Sequence, residues 1–110
     1  MKFSAEVKIN VGEDGTITLR EPTNAEWNNF AGRRYPISKK GKIIDNSMEA
    51  RTELFDVLVL KIENIEDTRG PITIETKERI PARIKSAVIF HAFEAEEIVE
   101  TKNLSGISDN

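Results

Sequence analysis

Phe3, Ala5, Val7, Ile9 and Val11 alternate with Lys2, Ser4, Glu6, Lys8 and Asn10. Alternation of period two places every apolar side chain on one face of a strand. Gly12-Glu13-Asp14-Gly15 follows, and an Asp-Gly pair supplies the positive φ that a tight hairpin needs. Thr16-Ile17-Thr18-Leu19-Arg20 alternates again, so residues 2–20 are predicted to form a β-hairpin. Its apolar face needs a cover from further along the chain.

Composition bounds the rest. A chain of 110 residues has room for one hydrophobic core. We expect a single α+β domain over residues 1–102, with 103–110 (NLSGISDN) a frayed tail. The chain has no cysteine, which excludes disulfides, thiolate metal sites and a cysteine nucleophile. No apolar stretch follows Met1-Lys2-Phe3-Ser4, and the longest apolar run, Val57 to Leu60, is far short of a bilayer span. A cytoplasmic protein without membrane contact is the expectation.

Pro22-Thr23-Asn24-Ala25-Glu26 is a helix start. The Thr23 hydroxyl can accept from the Glu26 amide while the Glu26 carboxylate reaches back to the Thr23 amide. The helix is predicted to begin at about Asn24 and to end near Gly32, with Trp27 and Phe30 on one face. Leu19 is placed to pack against Trp27. Residues 33–46, RRYPISKKGKIIDN, lack periodicity and are read as a long loop, the best candidate for internal disorder. Asn46 and Glu49 suggest a second cap, and a helix is favoured from 47 to about 63. Over 57–65 a strand fits the apolar pattern as well. Asp67 to Pro71 reads as a turn, and Ile72 to Thr76 as a short strand or extended arm. Pro81 precedes the most apolar helix, with Ile84, Val88, His91, Ala95 and Ile98 on one stripe. That helix is expected to lie against the hairpin. The architecture is therefore an N-terminal β-hairpin packed against about three α-helices.

Chemistry is sparse. His91 is the single histidine, and it reads as a part-buried, hydrogen-bonded helix residue rather than a member of a triad or metal site. No phosphate-cradling or dinucleotide-binding glycine motif is present. Catalytic, cofactor and metal residues are accordingly expected to be absent, and the chain is not read as an enzyme. Residues 32–42 hold five basic residues and no acid, whereas the rest of the chain holds eleven basic against nineteen acidic. Arg33, Arg34, Lys39, Lys40 and Lys42 could neutralise phosphates or an acidic partner, with Tyr35 stacking on a base. A solvated loop against the chain's own acidic surface is the plainer alternative. Trp27 and Phe30 either dock their helix on the core or leave part of its face as a protein contact. The last helix has basic Arg79, Arg83 and Lys85 at its leading end and Glu94, Glu96, Glu97 and Glu100 at its trailing end. Glu94 and Glu97 are thus candidate protein contacts, and two such helices laid antiparallel would form a homo-oligomer.

Leu19-Arg20-Glu21-Pro22-Thr23-Asn24-Ala25-Glu26, followed later by Arg51-Thr52-Glu53-Leu54-Phe55-Asp56, resembles the tail assembly chaperones of tailed phages and prophages. The resemblance spans about residues 3–60. It implies a non-enzymatic protein-binding module whose partner is an elongated tail-related phage protein with apolar surface to be kept soluble. No functional residue transfers with it. Nucleic-acid binding through residues 33–42 is the alternative function.

Overall fold

The computed structural model describes residues 6–95. Residues 2–5 of the predicted first strand, Glu96, Glu97, Ile98 and Glu100 of the predicted last helix, and the expected tail 103–110 lie outside them. The fold is α+β, with a three-stranded antiparallel sheet on one side and helices on the other.

The hairpin forms as its alternation requires. Strand β1 (Glu6–Val11) pairs with β2 (Gly15–Arg20), Val7 opposite Leu19 and Ile9 opposite Ile17. Ile17 and Leu19 are fully buried, and Val7, Ile9 and Val11 pack against the same core. The positive φ of the turn falls on Gly12 rather than on the Asp14-Gly15 pair. Gly15 instead opens β2 in a buried position, because a Cβ there would lie 2.5 Å from the Val11 carbonyl oxygen and 2.9 Å from Ile65.

Helix α1 (Asn24–Arg34) starts with the expected reciprocal cap. The Glu26 amide donates to Thr23 Oγ1 at 3.1 Å, and the Thr23 amide donates to Glu26 Oε1 at 2.9 Å. The helix runs two residues past Gly32, because Arg33 and Arg34 find carboxylates on neighbouring elements. Helix α2 (Ser47–Leu58) follows an Asn46 cap position, but Asn46 makes no side-chain cap bond. Asp45 accepts from the Ser47 amide at 3.0 Å in its place.

The helix predicted to reach residue 63 stops at Leu58, and Val59–Glu63 is strand β3, paired with β2. The register slips where Thr18 faces Lys61 and Leu19 faces Val59, leaving Leu60 as a bulge. That extra residue lets both Val59 and Ile62 face the core. Apolar residues three apart in a bulged strand carry a helix's spacing, which is why the sequence reads as helix here.

A small ladder of β4 (Glu66–Asp67) and β5 (Gly70–Pro71) closes the turn expected at 67–71. Residues 72–76 form neither strand nor arm. Ile72 is buried, and Ile74–Arg79 is a 3-10 segment, in which the Thr73 amide donates to Thr76 Oγ1 at 2.9 Å. Helix α3 (Ala82–Ile89) then passes into a π turn, Phe90–Glu94, with the Ala95 amide donating to the Phe90 carbonyl. Helix α3 packs chiefly on α2 and its π turn lies against β1, so the cover of the hairpin is shared between α2 and the last helix. A π turn takes more residues per revolution, so side chains beyond Ile89 fall behind α-helical phase. Glu94 swings into the interior and His91 out into solvent, against the part-buried place expected for that histidine.

Candidate interaction surface

Residues 35–46, expected as a disordered loop, form an ordered hairpin arm. The Gly41 amide donates to Ser38 O at 2.9 Å, and the Ser38 amide donates to Lys42 O at 2.7 Å. With Gly41 at φ +81 this is a three-residue turn whose glycine takes the left-handed position. Ile37 pairs with Ile43, the Ile44 amide donates to Pro36 O at 2.8 Å, and the Asn46 amide donates to Arg34 O at 2.9 Å. The arm is thus laddered from its tip down to the end of α1 and the start of α2.

What the arm presents is apolar as well as basic. Ile37 is 71% exposed, Ile43 72%, Tyr35 48% and Ile44 43%, and Met48 at the arm's foot is 53% exposed. Ile37 and Ile43 are directly opposed, so their side chains share one face of the ribbon. Lys39, Lys40 and Lys42 stand around the tip with no ion pair to any described residue. The isoleucines escape a reading that looks for charge and aromatics. The signal for them is Ile37 on one side of Ser38-Lys39-Lys40-Gly41-Lys42 and Ile43-Ile44 on the other.

Of the other candidate residues, Phe30, Arg34 and Glu94 are drawn inward, whereas Arg33 is paired but stays about half exposed. Arg33 pairs with Glu53 of α2. Arg34 Nη1 lies 3.1 Å from Glu94 Oε2, and Arg51 holds the same carboxylate with two bonds, Nε to Oε1 at 2.6 Å and Nη2 to Oε2 at 3.0 Å. Glu94, offered as a protein contact, is 5% exposed and is the hub of this cluster. The pair with Glu94 and the nearby side chain of Tyr35 raise the Arg51 pKa. Arg34 also lies over the Phe30 ring at 5.0 Å and the Trp27 ring at 5.7 Å. Phe30 is buried, which removes it as a surface anchor, and Trp27 is half-buried between Phe30 and Phe93. Glu97 lies outside the described residues. At the leading end of the last helix, Arg79 pairs with Asp67, and buried Lys85 donates to Asp56 Oδ1 at 2.8 Å. Of the charges seen in sequence as an intermolecular pattern, Arg79, Lys85 and Glu94 are thus paired within the molecule.

Two grooves flank α2. One, of about 160 Å³, lies between α1 and α2 on a floor of Phe30, Ala50, Leu54 and Val57. The other, of about 460 Å³, is shallow and borders the arm's foot, lined by Asp45, Met48, Glu49, Thr52, Glu53 and Ala82. Among the described residues no set of three His, Cys, Asp or Glu side chains is arranged to hold a metal ion, and no helix is long and apolar enough to cross a membrane. Comparison with family models, with curated proteins and with solved structures finds no match to this chain.

Proposed function

We propose that this chain is a non-enzymatic protein-binding module that presents the arm over residues 35–46 to its partner. The observation that carries the reading is the opposed Ile37–Ile43 pair, each more than two-thirds exposed on a hydrogen-bonded ribbon. Burying an isoleucine side chain is worth ~1.5–3 kcal/mol. A ribbon whose backbone is already ordered gives up little further conformational freedom when it binds. The resemblance to tail assembly chaperones names the partner class: an elongated tail-related protein of a tailed phage or prophage, held soluble in the cytoplasm.

The test is refolding of a tape-measure or major tail protein from the same genome by dilution, with and without this chain. Suppressed light scattering and a co-eluting complex are expected, and both should be lost in Ile37→Ser/Ile43→Ser. A wild-type chain that neither suppresses scattering nor co-elutes refutes the reading.

A second reading rests on Lys39, Lys40 and Lys42, unpaired among the described residues, beside the half-exposed Tyr35. These could neutralise phosphates and stack on a base. Arg33 and Arg34 take no part in it, being held by Glu53 and Glu94. A salt-sensitive mobility shift of labelled DNA or RNA, lost when the three lysines become Ala, is its signature. No shift at low salt removes it.

A further inference from the structure

Building on the arm as a protein-binding element, we infer that its resting partner is a second copy of this chain, each arm lying along α2 of the other protomer. The arm's apolar residues have a counterpart beside its own foot. The groove there is lined by Met48 and by Asp45, Glu49 and Glu53. Asp45 precedes α2, and Glu49, Glu53 and Asp56 recur within it at spacings of four and three, which aligns those three on one side of the helix. The arm from Tyr35 to Ile44 carries three lysines and no acid. A basic, isoleucine-faced ribbon and an acidic, methionine-floored groove are complementary in both charge and polarity.

The two surfaces do not satisfy each other within one chain. No ion pair joins Lys39, Lys40 or Lys42 to the stripe among the described residues, and the arm's backbone hydrogen bonds run within the arm and to Arg34 at the end of α1. Glu53 and Asp56 are paired with Arg33 and Lys85 but keep nearly half their side-chain surface exposed, and Glu49 has no direct ion pair among the described residues. Like charges four apart on a helix repel, so the stripe gains from an incoming cation. Since arm and groove share a border at Asp45 to Met48, a two-fold axis there brings both reciprocal contacts together, the self-complementary arrangement of a closed dimer.

The experiment is the mass of the full chain by multi-angle light scattering and sedimentation equilibrium, from micromolar to millimolar concentration. A dimer is expected at low salt, weakening as salt is raised. Two variants sharpen it: Lys39→Glu/Lys40→Glu/Lys42→Glu, which reverses the arm, and Glu49→Lys/Glu53→Lys, which reverses the groove. Each alone should be a monomer with the wild-type circular dichroism spectrum, while an equimolar mixture should form the heterodimer, because both contacts then pair opposite charges. A monomeric wild type at every concentration overturns the inference, as does dimerisation undiminished in either variant. A monomer that still suppresses aggregation of the tail protein overturns self-association alone and leaves the proposed function standing.

Discussion

Glu94 shows how much a single residue decides here. Its carboxylate is buried and shared by two guanidiniums, so neither arginine can lose it without leaving positive charge in the interior. Replacing one partner of such a cluster typically costs ~3–5 kcal/mol. Glu94→Ala should lower the urea midpoint accordingly, with an unchanged slope. Two half-buried carboxylates contribute to the acid limb of stability. Arg20 donates to both Glu26 oxygens at 2.8 Å, and with the Thr23 amide it holds the Glu26 pKa down to about 2. Arg79, with help from the Arg69 amide, does the same for Asp67. In the unfolded chain these groups titrate near ~4.3 and ~3.9. Depressed folded values mean that their stabilisation is complete above the unfolded pKa and disappears as pH falls from ~4 through about 2. Thermal melts across that window should show the midpoint falling with pH, and Glu26→Gln/Asp67→Asn should flatten the fall.

Elements are positioned by a few close approaches. Gly15 stands where β2 leaves the turn and Ile65 crosses behind it, and the Asn64 carbonyl lies 3.3 Å from where a Cβ would be. Gly15→Ala must push backbone against backbone at Val11. A loss of ~1–3 kcal/mol, the range for overpacking, is expected in a denaturant titration, and more of it should appear in unfolding rate if the turn closes late. The junction from α2 to β3 is equally local. With Phe55 and Leu58 fully buried at the end of the helix, the chain turns extended at Val59, and the bulge at Leu60 keeps Val59 and Ile62 on the same side.

At the scale of the whole molecule, the core and the arm are separable. The core cluster runs from Ile17 through Phe30, Phe55 and Leu58 to Ala92, and no residue between 35 and 46 belongs to it. Ile37→Ser/Ile43→Ser should therefore leave the unfolding free energy within about 0.5 kcal/mol, as for other exposed substitutions, while abolishing partner binding. Equal stability with lost binding is what separates an interaction element from a piece of the fold.

Much of this architecture was legible in the chain itself. Strict alternation set the hairpin, since only one strand register buries Ile17 and Leu19 together. The Thr23–Glu26 reciprocity set the start of α1, because both groups of the cap lie within one turn. These are interactions between near neighbours, and local spacing determines them. Tertiary structure alone decided the rest. A bulge and a π turn each break the period by one residue, and neither has a local signature, so the end of α2 and the inward turn of Glu94 are set by packing. Whether Arg34 faced solvent or Glu94, sixty residues away, depended on which elements the core brought side by side. The arm's isoleucines are exposed for the same reason: none of the elements that the core brings together lies over them, and no residue of the arm joins the core cluster.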